Sequence, residues 1–179
     1  VLSITPDNNT LFLMHRYKED GSNNGAGFSM SALEANGWSL PKDIPMTNYY
    51  NEASTNEFFL SADRKVMILC IQRKETQGDK DLYVSMLQDN GVYSEPVNMG
   101  KVINSHAGEI SPFLAADMRT LYFGSAGHPG FGSSDIFVSK RLDDSWTNWS
   151  TPQNLGPEIN SEDWEAYFTI PASGAYAYI

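Results

Sequence analysis

A single cysteine, Cys70, stands in the whole chain, so no intramolecular disulfide can staple the fold. Its place in the apolar run Val66 to Ile71 marks it as a small buried core residue. Basic side chains are scarce too: 12 Lys and Arg against 22 Asp and Glu leave a formal net charge of −10. Nucleic acid binding needs a basic footprint, and none clusters here, so DNA and RNA are excluded as partners. The same repulsion disfavours anionic membrane surfaces. No apolar run approaches the ~18 residues of a membrane-spanning helix. Val1 opens inside a repeat with no basic-then-apolar leader, so any signal peptide is expected upstream of it.

Catalytic signatures are also missing. There is no G-x-S-x-G elbow and no H-E-x-x-H pair. No acidic spacing matches a calcium loop. Gly130-x-Gly132 lacks the third glycine of a dinucleotide fingerprint and opens no helix. No catalytic residue, metal ligand or cofactor is therefore expected, which weighs against an enzyme.

What remains is 41% hydrophobic and 19% charged, the composition of an ordered globular protein, and 179 residues can bury one sizeable core. The apolar residues come in short runs bounded by turn chemistry. In the stretch Glu109 to Gly156, Ser111 to Ala115 reads as a strand and Ala116 to Arg119 as a tight turn. Thr120 to Ser125 is a second strand, Asp135 to Arg141 a third, and Trp149 to Leu155 a fourth, confined to an edge by Pro152.

That unit recurs. Asp7, Asp63 and Asp117 lie 56 and 54 residues apart, each four residues before an apolar strand. Ser31, Ser85 and Ser139 follow at spacings of 54 and 54. Trp38/Pro41, Tyr93/Pro96 and Trp149/Pro152 repeat an aromatic three residues before a proline. Asn104-Ser105 and Asn160-Ser161 each precede a glutamate, Glu109 and Glu165, five residues after the Asn. A period of about 55 with four short strands per unit predicts an all-β fold of β-propeller blades. The blades are placed at about 1–50, 57–104 and 110–160, with a partial fourth at 166–179. Three and a fraction cannot close a ring, so a single segment of a larger propeller is expected.

The run S-P-x-x-x-x-D-x-x-x-L-Y-F-x-S, G-x-G-x-x-D-I-F-V-S, W-x-x-P-x-N-L-G-x-x-I-N-S over Ser111 to Ser161 resembles the WD40-like propeller repeats of the TolB-related type. Such repeats are common in cell-envelope proteins of the Bacteroidetes, often beside an OmpA-like domain. The resemblance implies a non-catalytic scaffold, periplasmic or outer-membrane-associated as in envelope lipoproteins, that docks a protein partner in a secretion or motility complex such as type IX secretion. The alternative it leaves is a glycan-binding or glycan-processing propeller, lyase-like, with a metal held by histidines.

Candidate binding residues follow from loop placement. In a propeller, blade-to-blade connections and second-to-third-strand loops emerge on one face. That face is expected to carry His15, Arg16, Arg73, Lys74, His106, Glu109, His128, Trp164 and Glu165, with Trp164 as the anchor. The plainer reading makes them ordinary loop residues and packs Trp164 between blades. Asp7, Asp63 and Asp117 are expected to form turns, and Asp81 and Asp135 to organise the loops they close. Whether His15, His106 and His128 meet Glu109 or Glu165 around a metal separates the scaffold from the lyase.

Overall fold

A computed structural model describes residues 3–5 and 7–179; the expected strand end at Val1 and Leu2, and Pro6 of the first turn, lie outside them. The all-β expectation holds: among the described residues there are three antiparallel sheets and no helix. The first sheet comprises β1 (Ser3–Ile4), β2 (Thr10–Met14), β3 (Phe28–Glu34), β4 (Gly37–Trp38) and β5 (Lys42–Asp43). The second comprises β6 (Glu57–Leu60), β7 (Val66–Ile71), β8 (Asp81–Met86) and β9 (Val97–Asn98). The third comprises β10 (Glu109–Leu114), β11 (Thr120–Ser125), β12 (Asp135–Lys140) and β13 (Gln153–Asn154). The second and third sheets run in sequence order, and in the first both β4 and β5 pair with β3.

The repeated residues are the devices that build these sheets. Asp63 accepts the Ser61 hydroxyl at 2.6 Å and the Lys65 N–H at 3.1 Å, which turns β6 into β7. Asp7 and Asp117 do the same for Asn9 and Arg119. The residue after each aspartate, Asn8, Arg64 or Met118, takes the left-handed backbone that the turn requires, at φ 58, 61 and 57°. Ser31, Ser85 and Ser139 each donate a hydroxyl to the outer-strand carbonyl of Ser39, Ser94 or Ser150, all at 2.6 Å.

Side chains alternate across a strand, so each sheet serves two neighbours. Strand β7 shows this directly. Val66, Ile68 and Cys70 join Leu114, Leu121, Phe123 and Phe137 in one core, between the second and third sheets. Met67, Leu69 and Ile71 join Phe12, Phe28 and Phe58 in the other, between the first and second. All six residues of β7 are buried.

The outermost strands are shorter than expected. In the first sheet the run from Trp38 to Ile44 is split into β4 and β5, with Pro41 between them, because proline has no N–H to give the ladder. In the third, Trp149 joins by an isolated bridge to Arg141, and only Gln153 and Asn154 pair regularly. After β13, Thr169 and Tyr178 form a bridge, and Ala166 and Phe168 are buried.

Candidate active site

The innermost strands converge on a groove of about 350 Å³ that takes one polar residue from each successive repeat. Ser3 comes from β1, Glu57 from β6, Ser111 from β10, and Tyr167 from the segment after β13. Glu57 and Ser111 are bound to each other. The Ser111 N–H and hydroxyl both donate to one Glu57 carboxylate oxygen, at 2.8 and 3.0 Å.

The backbone is deformed to make that contact. Pairing of β10 with β11 shifts register between Ile110 and Phe113, a bulge centred on Ser111. Ser111 has φ 49°, and Tyr167, at the matching point of the next repeat, has φ 62°. Bulky non-glycine residues rarely occupy this left-handed region, and such departures gather at functional sites.

Electrostatics couple the same residues. The Tyr167 phenol is raised above its ordinary range, first by the negative charge of Glu57 and then by burial, while Lys80 pulls the other way. The Lys80 ammonium donates to the Thr55 hydroxyl at 3.3 Å. Aromatic rings run along the groove's apolar side. Phe59 meets Phe113 edge-on at 5.5 Å, Phe113 lies 6.2 Å from Tyr122, and Tyr122 lies 4.8 Å from Phe168. A carboxylate fixed by two donors and a phenol in its field are parts suited to activating water and protonating a leaving group.

A second carboxyl stands at the start of β10, two residues before Ser111. Glu109 is fully buried, and its side chain accepts the Ser105 N–H at 3.1 Å and the Ser105 and Ser125 hydroxyls at 2.5 and 2.8 Å. Burial outweighs these bonds and pushes its carboxyl up to about 7. The Cys70 thiol donates to the Glu109 carbonyl at 2.7 Å, and burial drives that thiol far above its usual range.

The other expected binding residues lie in several connections and at one strand end. His15, Arg16, Arg73, Lys74 and His128 fall in second-to-third-strand connections. His106 and Trp164 fall in connections between repeats, and Glu109 opens β10. Arg73 is buried as a clamp: it donates to Glu75, to the Asn48 carbonyl and to Glu95 at 2.8, 3.0 and 3.0 Å, and lies over the Tyr50 ring. Lys74 and His106 are exposed. His15 is held in left-handed backbone, and Arg16 donates to the Ala26 carbonyl. The His128 ring reaches the Ile103 carbonyl at 2.8 Å and packs on Phe137. Glu165 repeats the role of Glu109 by accepting from Ser161. Trp164 is 55% exposed and touches the groove only through Tyr167, 6.4 Å away edge-on.

Among the described residues no group of three or more His, Cys, Asp or Glu side chains is placed to hold a metal ion. Asp81 and Asp135 are loop organisers. Asp81 accepts from the Gln77 N–H and the Asn98 amide, and Asp135 from the Phe131 N–H and the Asn154 amide. A Cβ at Gly130 would run into the Asp135 carboxylate, which accounts for that glycine.

Sequence reading alone missed Glu57, Ser111, Tyr167 and Lys80. The available signal was a negative one. At one point of an otherwise repeating inner strand the second, third and partial fourth repeats carry Glu, Ser and Tyr.

No family model and no curated protein matches the chain. Two solved structures share its fold. One is a provisional 6-phosphogluconolactonase from Bacteroides fragilis, at 15% identity and a TM-score of 0.51, over 99% of this chain and 46% of that one. The other is a periplasmic gluconolactonase from Pseudomonas aeruginosa, at 14% identity and a TM-score of 0.53, over 99% of this chain and 49% of that one. The chain thus spans about half the length of either.

These findings overturn the WD40-like, TolB-related assignment, since no such family model matches and both neighbours are lactonases by name. They equally overturn the non-catalytic scaffold of a secretion or motility complex, its lyase-like glycan alternative, and the weighting against an enzyme. The physical reason is that the repeated Asp, Ser and Asn positions are strand-pairing hardware, which any sheet of this kind can use whatever its chemistry. No helix among the described residues is long and apolar enough to cross a membrane. At identities this low, what the chain shares with the two lactonases is an arrangement of antiparallel sheets.

Proposed function

We propose that residues 1–179 are consecutive blades of a single, larger β-propeller, and that the whole protein is a periplasmic hydrolase opening a sugar lactone at the inner-strand groove. The observation that carries this reading is Ser111, held in left-handed backbone on a bulge, with both its donors on the Glu57 carboxylate beside Tyr167. The named activities of the two fold neighbours support the reaction class, and the periplasmic one supports the compartment.

In this reading Glu57 takes a proton from water as the water oxygen bonds to the lactone carbonyl carbon. The Ser3 and Thr169 hydroxyls line the groove where the oxyanion develops. The ring C–O bond then breaks, and the departing oxygen takes the proton of Tyr167. The proton on Glu57 restores the phenol, and the product is the open hydroxy acid.

The test is hydrolysis of glucono-1,5-lactone by the full-length protein, followed by acid release above the uncatalysed rate. Glu57→Gln is expected to lower kcat by about 10²–10⁴-fold. A wild-type protein no faster than background, or a Glu57→Gln variant as fast as wild type, overturns the assignment.

A further inference from the structure

Resting on that reading, we infer that the groove selects an uncharged, hydroxyl-rich lactone ring and rejects its phosphorylated counterpart. The two fold neighbours differ on this point by name, one acting on a phosphorylated lactone and the other on a plain one, so fold alone does not decide it.

The groove's own chemistry does. A bound phosphate calls for Arg or Lys side chains, or for the N–H groups at a helix N-terminus. Among the described residues no Arg or Lys lines the groove, and no helix aims its N-terminus there. The charged group that does line it is the Glu57 carboxylate. Lys80, the cation whose charge reaches Tyr167, does not itself line the groove. A phosphate carrying about −1.5 to −2 charges would face that carboxylate across a partly apolar space.

What the groove offers suits a neutral ring. The Phe59, Phe113 and Phe168 rings present an apolar wall for the C–H face of a six-membered ring. The hydroxyls of Ser3, Tyr167 and Thr169 can each donate or accept, as sugar hydroxyls require, and that of Ser111, whose proton goes to Glu57, can accept.

Two measurements on the full-length protein test this. The first compares kcat/KM for glucono-1,5-lactone and its 6-phosphate. The second measures calorimetric binding of the corresponding lactams, which mimic the ring but resist hydrolysis. The neutral ring is expected to win by about 100-fold in both, the size of a close like-charge penalty. Glu57→Gln should narrow the gap in lactam binding, because it removes the repelling charge. Preference for the phosphorylated ring, or equal treatment, overturns the inference even if the protein proves to be a lactonase. Selective binding of the neutral lactam without any hydrolysis upholds the inference while sinking the proposed reaction. Binding of neither lactam, with hydrolysis of neither lactone, overturns both.

Discussion

Ser111 donates its backbone N–H and its hydroxyl to the same oxygen of Glu57, at 2.8 and 3.0 Å, across 54 residues of chain. The N–H reaches that oxygen at a β-bulge where Ser111 takes a left-handed backbone. A regular strand would have given this N–H to its neighbour in the ladder. The contact therefore ties the inner strands of two sheets at a point where each departs from its repeat.

The departure has a measurable cost. Left-handed backbone disfavours a residue with a Cβ by about 1–2 kcal/mol, a penalty glycine escapes. Ser111→Ala loses the hydroxyl bond and keeps the penalty, whereas Ser111→Gly loses the same bond and sheds it. In urea unfolding, Ser111→Gly should be more stable than Ser111→Ala by about 1 kcal/mol, although glycine in an ordinary strand is the weaker residue. Alanine proving the more stable would show that φ 49° carries no strain here.

Glu109 gives the fold a pH dependence of definite sign. Its carboxyl is pushed up to about 7 from the ordinary 4.5, with burial as the largest cause. The folded state therefore holds a proton that the unfolded state has released. This stability is fully present below about pH 4.5 and is lost as pH rises through about 7, then levels off. The effect is on the order of 3 kcal/mol. Asp81, also raised by burial, adds to the same trend, and Glu109→Gln should remove only the Glu109 share. Urea midpoints across this range test it, and parallel curves for wild type and Glu109→Gln would contradict it.

Cys70 should be silent in the native protein. It is fully buried, its thiol donates to the Glu109 carbonyl, and burial holds it protonated. Because the thiolate is the reactive form, a thiol reagent should label Cys70 only as fast as the chain unfolds, and urea should accelerate labelling steeply. Rapid labelling without denaturant would mean that the space between the second and third sheets opens readily.

The sheets were legible in the sequence because each repeat must solve the same pairing problem with the same residues. Asp63 and Asp117 turn equivalent strands, Ser85 and Ser139 tie equivalent edges, and these positions keep the period. The groove was not legible for the opposite reason. Glu57, Ser111 and Tyr167 occupy one repeat position with three chemistries, so averaging over repeats erases them. Nor does any local pattern foretell the left-handed backbone at Ser111, which depends on Glu57 arriving from another sheet. The loop histidines drew attention by residue type and by their place in connections on one face, and among the described residues His15, His106 and His128 form no metal-holding group.

The Asn104 and Asn160 repeats make the most demanding stability test. Asn104 accepts the Leu82 N–H at 2.8 Å and donates to the Leu82 carbonyl at 3.1 Å and the Asn98 side chain at 3.0 Å, with 1% of its surface exposed. Asn160 makes the same three bonds to Ile136 and Asn154. In Asn104→Ala the Leu82 carbonyl keeps the Met99 N–H, but the buried Leu82 N–H loses its partner. One orphaned buried donor plus the vacated volume should cost about 2–4 kcal/mol. Asn104→Asp restores an acceptor for Leu82 but sets a buried charge against the Leu82 carbonyl and the Asn98 oxygen. It should therefore be at least as damaging at neutral pH, and it should recover part of its loss in acid, where the carboxyl gains a proton and can donate. Equal urea midpoints for wild type and Asn104→Ala would show that this clamp only decorates a strand held by its ladder, whereas a loss confined to Asn104→Asp would point to charge burial alone.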